Sequence, residues 1–247
     1  MRKYIVVCTF NIILLIGMSC VRWSRTVSIL ESSPYIGYDT YVLPEPIDGP
    51  QHTGLGLSGN YVHTSTDTDT SITATAGSIT IHYAWSHLFE NGVVFTSTYV
   101  DDELYGHGVF DFKFNLARLP VIASPYFGFG GGMGREAWSF DMRAAVILGY
   151  ELVKDHMVIY LAPRYINYLY PWYVEGDEFG ADTWRYDFAP IAGGSAGFSF
   201  SIPLGPGEKV QKLKIRPEAT YLWGSEPQHD RIDFNVFQVG VQFCVAF

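Results

Sequence analysis

Two short stretches of the chain carry residue types that could hydrolyse an ester or a peptide bond. His63 and Ser65 lie two residues apart, and a histidine close to a serine can take the hydroxyl proton and so activate the oxygen as a nucleophile. Asp101, Asp102 and His107 combine two carboxylates with a base, the set used in general acid–base hydrolysis. Both stretches also have the composition of polar loops, and their flanking residues match no hydrolase motif. We therefore expect a protein that is not an enzyme, with a hydrolase as the alternative.

The chain also offers groups that could bind a metal ion or a phosphate. Acidic side chains occur in two polar stretches, at Asp67 and Asp69 and at Glu175, Asp177 and Glu178. Carboxylates suit Ca²⁺, but neither stretch has the full spacing of a calcium loop. The glycine-rich run 128–132 precedes no helix that could cradle a phosphate. We expect neither a metal site nor a cofactor.

The elements that position these groups are best defined at the carboxyl end, where residues 234–247 alternate between two faces. A period of two is typical of an extended strand. One face is apolar and aromatic, and the other carries small or amide-bearing side chains. The apolar face holds Phe237, Val239, Val241, Phe243, Val245 and Phe247, and the other holds Gln238, Gly240, Gln242, Cys244 and Ala246.

The same alternation recurs between turn signals along residues 51–247, and short and long connections alternate. The pattern predicts about ten strands of roughly 9 to 14 residues, with 8 to 12 strands still compatible. An even number of strands joined by hairpins predicts an all-β, antiparallel, up-and-down barrel. The strands are expected to begin near Gln51, Thr73, Gly92, Gly106, Val121, Ala137, Met157, Asp187, Val210 and Ile232.

The terminal Phe247 and the aromatic alternation before it resemble the closing strand of bacterial outer-membrane β-barrels of the OmpA-like and porin-like kind. The resemblance implies that Phe243, Val245 and Phe247 form a signal for the barrel-assembly machinery. It also implies a location in the bacterial outer membrane, in contact with lipid and lipopolysaccharide. Aromatic residues near the predicted strand ends fit headgroup depth. An exported soluble barrel of lipocalin type is the alternative, since it would show the same alternation with the apolar face inside.

The first twenty residues have the order of an export signal. Arg2 and Lys3 precede an apolar run that ends in small residues before Cys20. The sequence around Cys20 resembles a lipobox, which implies lipidation of this cysteine, although Gly17 stands where such motifs usually have leucine. Ordinary cleavage near Ser19 is the alternative. We therefore divide the chain into a signal peptide at 1–20, a periplasmic lead-in at 21–50 and the barrel at 51–247.

The net charge and the cysteine content argue against a nucleic-acid partner and against a disulfide framework. The formal net charge is −9, so an acidic surface argues against nucleic acid as a partner. Only three cysteines are present, and two of them lie in or beside the signal, so disulfides cannot hold the fold together.

If the apolar face meets lipid, the polar face lines the lumen of a cell-envelope membrane protein. We expect a structural or surface-binding barrel with a salt-bridged lumen, and a narrow porin-like channel for small solutes as the alternative, its selectivity set near Lys212, Lys214 and Arg216. The aromatic and acidic loop 170–184 could bind an extracellular partner. The predicted lumen residues are His82, Asp111, Lys113, Asn115, Asp141, Arg143, Glu151, Arg164, Lys212, Lys214, Arg216, Glu218, Gln238 and Gln242.

Overall fold

The computed structural model describes residues 53–66, 71–100, 103–117, 120–133, 138–174, 183–204, 212–226 and 232–246. The predicted signal peptide, lead-in, Cys20 and Phe247 lie outside this described part of the chain. Among the residues described, no helix is long and apolar enough to cross a membrane.

Ten antiparallel strands form one closed barrel, in which each strand pairs with its two sequence neighbours and β1 pairs with β10. The predicted fold class is confirmed. The strands are β1 Thr53–Thr66, β2 Ser71–Ala84, β3 Phe89–Val100, β4 Glu103–Phe114, β5 Val121–Met133, β6 Trp138–Val153, β7 Met157–Val174, β8 Thr183–Pro203, β9 Lys212–Glu226 and β10 Ile232–Ala246.

Several strands are longer than the sequence predicts. β3 begins at Phe89 rather than near Gly92, and β8 begins at Thr183 rather than near Asp187. β7 continues to Val174, so part of the predicted loop 170–184 is strand. Turn-forming residue types marked the expected boundaries, but backbone pairing with a neighbouring strand continues through them because ladder hydrogen bonds need no particular side chain.

The two ends of the barrel differ. We call the end where β10 terminates, at Ala246, the lower end; it carries the turns at 85–88 and 154–156. At the upper end, β1 stops at Thr66, β7 at Val174 and β9 at Glu226, and the residues that follow each of them lie outside the described part of the chain. Along each strand, side chains alternate between the lumen and the outer surface, as the pleat requires.

The outer surface is apolar around the barrel. Exposed side chains include Ile79 and Ile81 on β2, Phe140 and Leu148 on β6 and Phe243 on β10. Their lumen-facing neighbours are buried and are largely polar. This is the arrangement of a membrane-spanning barrel, whereas a lipocalin-type soluble barrel would place the apolar face inside.

One hairpin rises above the rest of the barrel. β7 and β8 pair as far as Val174↔Thr183, whereas the uppermost β6–β7 pair is Phe140↔Leu169 and the uppermost β8–β9 pair is Ile191↔Gly224. The five pairs from Tyr170↔Asp187 to Val174↔Thr183 therefore form a two-stranded extension. At about 3.4 Å per residue, it is roughly 17 Å long.

Candidate functional site

The polar residues predicted for the lumen come together inside the barrel, with two exceptions at its lower rim. Glu151 is half-buried, and Lys212 lies 3.9 Å from the exposed Asp155 with a quarter of its side chain exposed. The other twelve are buried, with exposed fractions of 6% or less. They are His82, Asp111, Lys113, Asn115, Asp141, Arg143, Arg164, Lys214, Arg216, Glu218, Gln238 and Gln242.

A first group of interactions lies near the lower end, on β3 and β4. Lys113 Nζ lies 2.8 Å from Glu90 Oε2, and Asn115 donates to the other carboxylate oxygen at 2.7 Å. On the same side, His82 Nε2 lies 3.4 Å from Asp111 Oδ2. Gly92 makes room for this contact, because a Cβ at that position would lie 2.6 Å from the His82 ring.

A second group is centred on Glu218 in β9. Its carboxylate accepts from Tyr160 Oη at 2.8 Å and from Arg164 Nη2 at 2.8 Å, both on β7. Arg216, two residues earlier on the same face, donates to Gln242 Oε1 of β10 at 3.1 Å. These contacts join β7, β9 and β10 across the interior, although β7 is paired with neither of the other two strands.

A third group lies higher, on β4 and β6. Asp141 accepts from Arg143, through both Nε and Nη2, the latter at 3.1 Å. The same carboxylate lies 2.6 Å from His107 Nε2. His107 faces the lumen and is 4% exposed, so it belongs to this buried group rather than to a polar rim.

Above the middle of the barrel, most of the lumen wall becomes apolar. Buried apolar side chains from seven strands pack into one cluster, each 6% exposed or less, and Ile72 and Tyr105 pack against it. We call this cluster the apolar layer. Its members are Val62, Ala74, Ala76, Val100, Ile166, Tyr168, Ala189, Ile191, Leu222, Phe234 and Val236.

Sequence reasoning missed several members of the interior. Glu90 was not assigned to a strand, because β3 was predicted to begin near Gly92 and in fact begins at Phe89. Tyr160 was overlooked, although it lies on the same face of β7 as Arg164. His107 was considered only with Asp101 and Asp102, which lie outside the described residues. Strand parity alone would have assigned Tyr160 and His107 to the lumen.

The other hydrolase pair does not join the lumen. His63 and Ser65 lie near the upper end of β1, on the face opposite the buried Thr64. His63 Nδ1 lies 3.4 Å from Thr73 Oγ1 on β2. Asp67, Asp69, Glu175, Asp177 and Glu178 lie outside the described residues, and within the described residues no cluster of three or more metal-ligating side chains occurs.

No protein-family model matches this chain, and no curated protein matches it. Among solved structures, Neisserial surface protein A is 12% identical, with a TM-score of 0.34 over 77% of this chain and 95% of that one. The translocator domain of the autotransporter NalP from Neisseria meningitidis is 10% identical, with a TM-score of 0.40 over 79% and 89%. An outer-membrane channel from Pseudomonas putida is 10% identical, with a TM-score of 0.39 over 85% and 98%.

Proposed function

We propose that this chain, a ten-stranded β-barrel of the bacterial outer membrane, is a structural or surface-binding barrel whose lumen does not conduct. The apolar layer is the observation that carries the proposal. An ion crossing it would leave water for a wall that is apolar on seven of the ten strands. Asp141, Arg143 and His107, on β4 and β6 at that level, already bind one another. Such a transfer is costly. Apolar constrictions in pores also exclude water and stop conduction in that way.

The ion pairs below the apolar layer support a structural role for the interior. Glu218, Asp111 and Glu90 each have a cationic or titratable partner from another strand or from the facing wall. Buried charges that are matched in this way hold their strands in register and leave few charges available to attract a passing ion. The interior is therefore a salt-bridged plug.

Conductance of the folded protein in a planar bilayer tests the proposal. We expect silence, whereas steady conductance steps would favour the alternative function, a narrow channel. The paired change Leu222→Ala with Phe234→Ala removes two side chains from the apolar layer and should produce steps. Phe237→Ala, on the outer face of the same strand as Phe234, is the matched control and should stay silent. If the double variant is silent too, the ion pairs below the apolar layer are sufficient to close the lumen without it.

The binding part of the proposal is supported by the β7–β8 extension. This extension, roughly 17 Å long, continues at the upper end of the barrel past the last β6–β7 and β8–β9 pairs. Its sequence combines aromatic and acidic residues, and exposed aromatics on a rigid scaffold are a common binding device. An extracellular partner at 170–184 is therefore our proposed ligand, and the acidic residues of the loops would also face lipopolysaccharide.

Export and anchoring remain proposals of their own. We propose that residues 1–20 are an export signal, that Cys20 is lipidated, and that Phe243, Val245 and Phe247 are recognised by the assembly machinery. Labelling cells with radioactive palmitate tests the anchor. We expect label in the wild-type chain and none after Cys20→Ala; label that survives this substitution would show that Cys20 is not the site.

A further inference from the structure

A groove on the outer surface of the barrel is the feature from which we draw a further inference. It spans β6 to β10 in the lower half and encloses about 850 Å³. That volume lies within the range of about 300–1,000 Å³ typical of small-molecule sites. The groove is open to the surroundings of the barrel, since the side chains that flank it, such as Leu148, Ile159 and Phe198, point outward and are exposed. The lumen-facing residues between them, such as Tyr160 and Glu218, also line it.

The strand register explains why a groove forms there. One row of outward positions runs across the five strands as Leu148, Leu161, Ala196, Ala219 and Val239. Two alanines in the middle of this row, between larger side chains, leave a depression about two strands wide, or roughly 10 Å.

The backbone is also irregular at this depression. The β8–β9 ladder is interrupted between Gly197↔Glu218 and Phe200↔Ile215. Pro217 lies in the interruption, and proline cannot donate a ladder hydrogen bond. The wall therefore departs from a regular sheet at the row just below the two alanines.

We propose that this groove holds an acyl chain of a phospholipid from the periplasmic leaflet. We place the lower end of the barrel at the periplasm, because the predicted periplasmic lead-in, 21–50, precedes the start of β1 at that end. The groove then lies at the depth of the periplasmic leaflet. Its outward lining is apolar, and an empty groove in a membrane would forfeit dispersion contacts on its open side. A flexible chain can follow the depression and restore those contacts.

The headgroup end of the groove suits a phospholipid. Tyr150 lines the groove towards the lower end and is 52% exposed, as an aromatic residue at headgroup depth is expected to be. The turn at 154–156, directly below it, offers the exposed ammonium of Lys154 as a donor to a phosphate. The acid in this turn, Asp155, lies 3.9 Å from Lys212.

A second copy of the chain fits the groove less well than lipid. Inside a membrane, an apolar protein surface gains no hydrophobic free energy by leaving lipid for another protein. A second barrel would have to place rigid side chains at matching positions to fill the depression. An acyl chain needs no such match.

Native mass spectrometry of the folded barrel, extracted from outer membranes in a nonionic detergent, tests the proposal. The wild-type barrel should retain phospholipid, whereas Ala196→Phe and Ala219→Phe should lose it because a ring fills the depression. Ala144→Phe is the matched control. Ala144 lies outward on β6 between Phe127 and Tyr165, away from the groove, so this variant should retain phospholipid.

Three results would overturn the inference: a wild-type barrel without phospholipid, equal retention in all four proteins, or a lipid-free two-chain species that the groove variants abolish. If Ala196→Phe and Ala219→Phe do not fold, Phe198→Trp provides a second measurement. Its fluorescence in detergent micelles should be quenched saturably by small amounts of phospholipid with brominated acyl chains, and more strongly than that of Ala144→Trp. Equal quenching at the two positions would contradict a bound chain.

Discussion

Glu218 shows most clearly how a single residue depends on its partner inside this barrel. Its buried carboxylate lies 2.8 Å from Arg164 Nη2 and accepts a second hydrogen bond from Tyr160. Removing one partner of a buried ion pair leaves an uncompensated charge, which costs about 3–5 kcal/mol. We expect Arg164→Met to lower the free energy of unfolding by that amount, measured by urea titration of the barrel in phospholipid vesicles.

Two further variants separate the lost charge pair from a general effect of substitution. Lys212→Met removes a cation that lies 3.9 Å from the exposed Asp155, so its cost should be below about 1 kcal/mol. Adding Glu218→Gln to Arg164→Met removes the unpaired carboxylate and should recover part of the loss. Equal losses for Arg164→Met and Lys212→Met would mean that the buried pair does not stabilise the barrel.

At the residue scale, strand parity predicted which polar side chains meet in the lumen but not which ones pair. Asp111 and Lys113 were both placed inside from alternation along β4. Their partners, His82 and Glu90, depend on the register between strands, and Glu90 also depends on where β3 begins. Register is fixed by contacts across the barrel, which a single sequence does not display.

Among the elements, the β7–β8 extension pairs with no third strand, so its removal leaves every other strand pairing intact. Replacing residues 172–185 by Asn-Gly would close the hairpin just above Pro171↔Tyr186 with a favoured two-residue turn. We expect the free energy of unfolding to change by less than about 1 kcal/mol, since an isolated hairpin is marginally stable by itself. Adhesion of bacteria that display the barrel should fall, which a cell-adhesion assay would measure.

The control for this truncation is the amount of folded barrel at the cell surface, which should be unchanged. Full adhesion by the truncated protein would contradict a binding role for the extension. A large loss of stability would mean that the extension helps to stabilise the barrel.

The presence, order and direction of the strands followed from a period of two and from turn signals, and the structure agrees. The upper ends were harder to predict. Residues 170–172 and 184–187 contain a proline, an acid and several aromatics, which suggest a loop, yet β7 and β8 pair through them. A partner strand satisfies the backbone there, so local propensity does not decide the boundary.

For the molecule as a whole, closure is the property with the clearest experimental signature. Every strand pairs with two others, and β1 and β10 pair from Gly54↔Ala246 to Thr66↔Phe234. The barrel therefore has no unpaired strand edge at which a detergent could begin to separate the strands. We expect unheated protein to migrate differently from boiled protein on a gel in dodecyl sulfate. A chain that ends before β10, at residue 231, should show no such shift.

An unheated full-length chain that migrates like the boiled one would contradict a closed barrel.

The function of the whole molecule was less accessible from the sequence than its fold. The apolar layer was not foreseen because its members are scattered over seven strands, and each one alone looks like an ordinary small or apolar strand residue.

The apolar layer also has an electrical consequence. The layer and the buried ion pairs below it exclude most water from the described lumen, so a voltage applied across the membrane falls over the whole length of the interior. Arg164 and Glu218 lie 2.8 Å apart, and the field exerts nearly opposite forces on their opposite charges. The interior should therefore respond little to voltage.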